Sequence, residues 1–154
     1  TGELGSASVL KVITNYLASV HLVALGEAWT VAKKSNLDLK KTYQGIAVSS
    51  GNSFVHETES QVILNGSYNI NFTMDLVVKD TSLFDDLSKK LNSNLELSPI
   101  ISDIFKDGEK KYGKRAWSSM IVKRMEDINN INFRTEGFPA ELTDNEPEEK
   151  GFEI

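Results

Sequence analysis

The sequence predicts an all-α fold, and three observations support that prediction. Apolar residues recur at helical spacing in several segments, and short polar turns separate these segments. No segment shows the sustained alternation of apolar and polar residues that is typical of a half-buried β-strand. The 154 residues suffice for one domain with a sizeable core, and the 40% of apolar and 25% of charged residues are typical of a globular protein.

The longest apolar segment, residues 9–32, predicts the first helix. We expect this helix to begin near Ser6 and to end near Lys34, because cations suit a helix C-terminus. The segment is long enough to span a membrane, but it carries spaced polar residues and has no flanking basic cluster. We therefore interpret it as a buried core helix or a subunit interface, with Glu27 buried and hydrogen-bonded and His21 in the core or the interface.

Capping residues indicate where the second and third helices begin. Asp38 and Ser53 each precede an apolar-periodic segment, and their side-chain oxygens can accept hydrogen bonds from the free amides of a first helical turn. The Asn-Gly-Ser sequence around Gly66 is a strong turn signal and predicts the end of the third helix.

Three further helices are predicted in the second half of the chain. Residues 72–91 form the fourth, and a fifth opens at Ser98-Pro99 with proline at its first position, before Gly108 and Gly113 interrupt it. The last amphipathic segment is residues 117–128.

The composition of the chain changes near residue 137. Residues 139–149 contain five acidic residues and two prolines and no basic residue, a composition that favours a solvated tail over a packed helix. We therefore predict a helical domain at residues 1–136 and an acidic tail at residues 137–154.

Charge and composition exclude several classes of function. A net charge of −5 and a pI near 5.1 argue against nucleic-acid binding. The chain contains no cysteine and two histidines, so we expect neither disulfides nor a metal site, and a reducing cytoplasm is the expected compartment. Because the chain begins with threonine rather than methionine, we expect it to be one domain of a longer protein.

Two polar residues in the first helix are the strongest candidates for a functional site. Lys11 and Asn15 lie four residues apart in an otherwise apolar segment, so a helix places both side chains on one face. A lysine is rarely buried unless it is paired or functional. Gly2 and Gly5 precede the pair and suit a tight bend before the helix. We interpret Lys11 as a proton donor that faces a cleft.

These residues form part of a longer motif. The sequence GELGSASVLKVITN at residues 2–15 resembles the G-x-x-G-x-G-x-x-x-K-x-x-N-N motif of the β-hydroxyacid dehydrogenases, the family of 3-hydroxyisobutyrate and 6-phosphogluconate dehydrogenase-like enzymes. Four further segments resemble the family in the same order: ALGEA at residues 24–28, KKSNLD at 33–38, SSGNS at 49–53 and FTMDLVVKD at 72–80.

The resemblance implies a fold and an activity. The chain is similar to the helical C-terminal domain of these enzymes, built around one long apolar helix, and their N-terminal Rossmann domain is absent from this chain. The full-length protein would use NAD or NADP to interconvert a small β-hydroxyacid and its semialdehyde, as a homodimer or larger homo-oligomer that binds neither nucleic acid nor membrane. We expect this chain alone to be inactive.

The resemblance also implies roles for particular residues. Lys11 would be the catalytic lysine and Asn15 a substrate-binding residue, while Lys79, Phe72 and Asp80 would lie on the cofactor side of the cleft. Hydride delivery to a carbonyl carbon places negative charge on its oxygen, which an ammonium group can stabilise and protonate. This role requires the fourth helix to fold across the first, so that Lys79 lies in the same cleft as Lys11.

Two positions depart from the family motif, and one alternative function remains open. Ala7 occupies the position of the third glycine, and Thr14 that of the first asparagine. The alternative is a helical dimerisation or binding module that keeps the fold without redox chemistry. The presence of both Lys11 and Asn15 favours the enzyme, and a strand followed by G-x-G-x-x-G upstream of this chain would decide between the two.

Overall fold

The computed structural model describes residues 2–143, and within them it contains only helices and the segments that join them. The elements are α1 (Ser6–Lys34), α2 (Leu39–Ala47), α3 (Phe54–Asn65), α4 (Met74–Lys90), α5 (Leu97–Tyr112), a short 3-10 helix (Ser118–Val122) and α6 (Lys123–Asn129). The predicted all-α fold is confirmed.

The predicted capping residues begin the second and third helices. The Asp38 carboxylate accepts a hydrogen bond of 2.9 Å from the Lys41 amide, and the Ser53 hydroxyl accepts one of 3.0 Å from the His56 amide. Gly66 ends α3 with a φ of 97°, a left-handed conformation that a residue without a Cβ adopts at little cost.

The fourth and last helices differ from the predicted boundaries. Helix α4 begins at Met74 instead of at residue 72, because residues 72–74 bond to residues 116–118, where the 3-10 helix begins. The Ser118 amide donates to the Phe72 carbonyl, and the Met74 amide to the Ala116 carbonyl, both at 2.8 Å. The predicted helix at residues 117–128 is a 3-10 turn followed by the short α6.

The two glycines predicted to interrupt the fifth helix have different effects. Helix α5 begins at Leu97, two residues before the predicted first position at Pro99, and it continues through Gly108. A Cβ at Gly108 would lie 2.5 Å from the Cδ1 atom of Ile121, so glycine allows the 3-10 helix to pack directly against α5. Gly113 follows the last helical residue, as expected of a terminator.

The core is built around the second part of α1. Leu22, Leu25 and Trp29 are buried there against α3, the 3-10 helix and α6. The Trp29 ring stacks on that of His56, with the centroids 5.9 Å apart. His56 is fully buried with its Nε2 atom 3.0 Å from the Tyr43 carbonyl, and burial lowers the pKa of this imidazole.

The first part of α1 has no such cover. Residues 6–18 include no buried residue, and the apolar side chains that they expose are Val9, Leu10, Ile13 and Leu17. Helix α1 has the length and apolar composition of a membrane span, and 22% of its most apolar window is buried within the chain. The chain therefore buries only the second part of α1 in its core, and the interpretation of the first part as a subunit interface stays a prediction.

Two expectations for α1 are corrected by the structure. Glu27, expected to be buried, is exposed, because the face that packs on the core carries Leu22, Leu25 and Trp29 instead. His21 is likewise exposed, so it is not a core residue, and its place in an interface stays a prediction.

A cluster of polar side chains, Arg134 with Glu126 and Tyr68, holds the segment after α6 against the domain. The Arg134 guanidinium donates to Glu126 at 3.0 Å, to the Tyr68 hydroxyl at 2.8 Å and to the Ile63 carbonyl at 3.0 Å. Farther along, the Asn65 amide donates to the Phe138 carbonyl at 3.0 Å. The first residues of the predicted acidic tail are thus held against the domain, whereas residues 144–154 lie outside the described part of the chain.

Candidate active site

Helices α1 and α4 meet at a hydrogen bond between two of the predicted site residues. The Asn15 Nδ2 atom donates to the Asp80 Oδ2 atom at 2.7 Å, across 65 positions of sequence. Beside this bond the rings of Tyr16 and Phe84 stack with centroids 3.9 Å apart and planes within 4° of parallel. The two contacts fix the position of α4 across α1.

The aromatic stack is a feature that the sequence reasoning missed. Tyr16 directly follows Asn15, and Phe84 lies one helical turn after Asp80, so each ring accompanies a motif residue. Burial between the helices, and secondarily the charge of Asp85, raises the pKa of Tyr16, which keeps the phenol neutral. The positions of these aromatic residues relative to the two motifs were the available signal.

Lys79 lies next to the hydrogen-bonded pair and remains open to solvent. Its Nζ atom is 3.6 Å from the Asp80 Oδ1 atom, and its side chain is 62% exposed, compared with 14% for Asp80. An exposed ion pair of this kind is weak, because solvent screens it. The ammonium of Lys79 is therefore available to an incoming anionic group.

Lys11 projects from α1 one turn before Asn15, on the same face of the helix. It is exposed, and its ammonium group makes no hydrogen bond or ion pair within residues 2–143. The sequence led us to expect a lysine in apolar surroundings, and this chain does not supply them. Thr14 donates its hydroxyl to the Lys11 carbonyl at 3.0 Å, so that group is engaged within the helix.

Phe72 takes a different position from the other predicted residues. It precedes α4, its ring is about one-third exposed, and its carbonyl is bonded to the 3-10 helix. The structure thus brings together Asn15, Asp80 and Lys79, with Lys11 one turn away along α1.

The chemistry of these side chains fits one side of a dinucleotide site. Lys79 offers an exposed cation to phosphate or carboxylate groups, and Phe72 offers part of an aromatic face. Within residues 2–143 there is no strand leading into a glycine-rich turn, the element that holds a pyrophosphate. The same residues contain no group of three His, Asp or Glu side chains suited to a metal.

One cleft in the described part of the chain lies away from these residues. It encloses about 380 Å³ between the end of α4 and the start of α5. Its lining includes Ser88, Lys89, Ser98, Ser102 and Lys106 and contains none of the predicted site residues. The candidate site around Asn15 is instead an open surface, which another segment must cover before water can be excluded from it.

Sequence comparisons agree with this description. The profile of a family described as NAD-binding of NADP-dependent 3-hydroxyisobutyrate dehydrogenase matches residues 5–125. L-threonate dehydrogenase of Haemophilus influenzae is 30% identical over 120 residues, which cover 77% of this chain and 40% of that protein. The enzyme of the same name from Escherichia coli K12 is 31% identical, with the same coverage.

Structural comparisons identify the same fold. A crystal structure of 3-hydroxyisobutyrate dehydrogenase (ygbJ) from Salmonella typhimurium matches with a TM-score of 0.70 and 30% identity, over 78% of this chain and 42% of that one. The Mycobacterium tuberculosis 3-hydroxyisobutyrate dehydrogenase matches with a TM-score of 0.71 and 21% identity, over 79% and 44% of the two chains, and it shows the fold alone.

Proposed function

The chain belongs to the NAD-binding family of NADP-dependent 3-hydroxyisobutyrate dehydrogenase, and from that membership we propose a function for it. It is the C-terminal domain, with its helical part at residues 1–136, of a cytoplasmic NAD- or NADP-dependent dehydrogenase. The whole protein interconverts a small β-hydroxyacid and its semialdehyde. The chain spans about two-fifths of the length of its L-threonate dehydrogenase relatives, so the activity is that of a longer protein.

The observation that carries this proposal is the bond between Asn15 and Asp80. It joins the two most specific motifs of the sequence, which are 65 positions apart, at one crossing of α1 and α4. A packing module has no need of a partly buried amide–carboxylate bond near two exposed lysines, whereas a site for a polar substrate does. The geometry therefore favours the enzyme over a module without redox chemistry.

Lys11 is the group that exchanges a proton with the substrate. During oxidation the substrate carbon loses its hydride and the hydroxyl loses its proton to the Lys11 Nζ atom, so that a C–H and an O–H bond break and a carbonyl forms. In the reverse direction the Lys11 ammonium donates that proton to the developing alkoxide. A bound nicotinamide would accept the hydride during oxidation and return it during reduction.

The remaining site residues bind and orient. Asn15 contacts the substrate one turn along α1, and the exposed ammonium of Lys79 attracts the anionic groups of the cofactor or substrate. Phe72 borders the cofactor side. The exposed apolar residues of α1 lie on the surface that meets the Rossmann domain and the second subunit of a dimer, and this contact gives Lys11 the cover that the chain alone lacks.

The test is an assay of the full-length protein beside this 154-residue chain. We expect the full-length protein to reduce NAD⁺ or NADP⁺ with L-threonate or 3-hydroxyisobutyrate as substrate, and this chain alone to show no turnover. An inactive but correctly folded and dimeric full-length protein would favour the binding module. Turnover by the isolated chain would contradict the assignment of the cofactor site to another domain.

A further inference from the structure

The hydrogen bond at the helix crossing determines which way the Asn15 amide faces. A carboxylate only accepts hydrogen bonds, so the group that faces Asp80 must be the amide nitrogen, at 2.7 Å. The amide oxygen, Oδ1, therefore points away from Asp80. Within residues 2–143 this oxygen has no hydrogen-bond partner.

Asp80 is held in place by its surroundings. Its side chain is largely buried, its second oxygen lies 3.6 Å from the Lys79 ammonium, and the stack of Tyr16 on Phe84 fixes the helices on which the pair sits. Hydrogen bonds with one charged partner are stronger than neutral ones. A reversed amide would place its oxygen against the carboxylate, so this arrangement excludes the other orientation.

We propose that Asp80 is a positioning residue that presents the Asn15 amide oxygen to the substrate as a hydrogen-bond acceptor. This inference rests on the proposed function. The amide oxygen accepts a hydrogen bond from a hydroxyl group and repels the oxygen atoms of a carboxylate or a carbonyl. Through this atom, Asn15 recognises a substrate hydroxyl. Four residues of helix place Asn15 about 6 Å along α1 from Lys11.

The spacing of the two residues identifies the substrate class. Lys11 has a long side chain that handles the reacting hydroxyl, while the short Asn15 side chain reaches the neighbouring part of the same substrate. The hydroxyl that donates a hydrogen bond to Asn15 is therefore a second hydroxyl of the substrate, beside the reacting group. The site selects polyhydroxylated acids over acids with a single hydroxyl.

Reciprocal substitution tests this orientation in the full-length protein. Asn15→Asp places two carboxylates face to face, and we expect kcat/KM for L-threonate to fall about 100-fold, the loss expected when a bond to a charged group becomes a repulsion. Asp80→Asn no longer enforces one orientation, and we expect a loss of about 10-fold. The double variant Asn15→Asp with Asp80→Asn restores most of the activity, because the amide at position 80 then donates to the carboxylate at position 15, which still presents an oxygen.

Substrate preference separates positioning from stability. We expect the wild type to prefer L-threonate, which has several hydroxyls, to 3-hydroxyisobutyrate, which has one. Each single variant should lose that preference, and the double variant should regain it. Asp86→Asn, an exposed position on α4 paired with Lys89, is the matched control and leaves the preference unchanged. Equal losses on both substrates, accompanied by a lower melting temperature, would assign the pair a structural role and overturn the proposal.

Calorimetric binding of L-threonate distinguishes a failure of this inference from a failure of the proposed function. If the wild type oxidises hydroxyacids and the single variants keep its preference for L-threonate, the inference is overturned and the proposed function stands. Wild type that binds L-threonate with the expected order of variants, but does not oxidise it, overturns the dehydrogenase and keeps the inference. The absence of both binding and turnover overturns both.

Discussion

The two halves of α1 have similar composition and opposite surroundings. The N-terminal half, residues 6–18, exposes its large apolar side chains and carries Lys11 and Asn15, whereas the C-terminal half, residues 19–34, buries Trp29 in the core. Burial of apolar area is favourable wherever the cover comes from. The chain itself therefore covers one half of α1, and we propose that other parts of the full-length protein cover the other half.

The largest effect is expected in the C-terminal half. Trp29→Ala removes a fully buried ring that stacks on His56, and we expect a loss of about 3–5 kcal/mol in the free energy of unfolding. Leu17→Ala, in the exposed half, is the control and should change the stability of the isolated chain by less than about 0.5 kcal/mol. Urea unfolding measures both, and equal losses would contradict the comparison.

The second effect concerns chemistry in the N-terminal half. In the full-length protein, Lys11→Ala should lower kcat by about 100-fold or more, because the site loses its general acid and base. The melting temperature should not change, since the Lys11 side chain makes no hydrogen bond or ion pair within the described residues. Lys41→Ala, another exposed helical lysine, is the control, and an unchanged kcat in Lys11→Ala would remove Lys11 from the mechanism.

The third effect tests what covers the N-terminal half. Leu10→Ser combined with Leu17→Ser should convert the dimer to a monomer, because both exposed side chains contribute apolar area to the expected interface. Val31→Ser, at an exposed position of the C-terminal half, should leave the dimer intact. Light scattering gives the mass of each, and a wild-type monomer at micromolar concentration would exclude this interface.

A smaller effect is expected at Lys79, which lies on α4 beside the hydrogen bond between Asn15 and Asp80. Lys79→Ala should raise KM by about 10-fold with little change in kcat, because an exposed cation contributes more to binding of an anionic group than to the chemical step. Lys89→Ala, on a more distant part of α4, serves as the control. A fall in kcat comparable to that of Lys11→Ala would place Lys79 in the chemistry instead.

The smallest effect is a dependence of stability on pH that arises from Glu59, a partly buried residue of α3. Burial raises the pKa of Glu59 to about 8, and its Oε2 atom has no partner within residues 2–143. The folded chain then binds more protons than the unfolded chain between the normal pKa of 4.5 and about 8, so stability falls as pH rises through that window and levels off above it.

Glu59→Gln provides the measurement. Its melting temperature should equal or exceed that of wild type, with the difference growing between pH 6.5 and 8, because the variant has no ionisable group at position 59. Glu57→Gln, two residues earlier and exposed, should follow wild type. A constant difference across the range would mean that Glu59 is ionised in the folded chain.

The sequence predicted those parts of the fold that depend on local chemistry. Asp38, Ser53 and Gly66 begin or end helices through contacts within a few residues, so their roles were visible in the sequence. The family assignment is also confirmed, because it rested on ordered motifs and not on tertiary contacts.

The features that were missed or wrongly predicted depend on distant contacts. The later start of α4 follows from bonds to residues 116–118, and the exposure of Glu27 follows from the choice of the buried face. Hydropathy predicted that α1 needs cover from outside this chain, but it did not indicate which half of the helix the chain leaves exposed. The stack of Tyr16 on Phe84 likewise depends on a crossing of helices that no local pattern specifies.

The contact between Asn15 and Asp80 has a consequence for how such proteins can diverge. Substitution of either residue leaves the other without its hydrogen-bond partner, so each position constrains which substitutions the other can tolerate. Recombination between related genes with a breakpoint anywhere between positions 15 and 80 would separate the pair. Viable hybrids should therefore inherit α1 and α4 from the same parent, or from parents that share this pair.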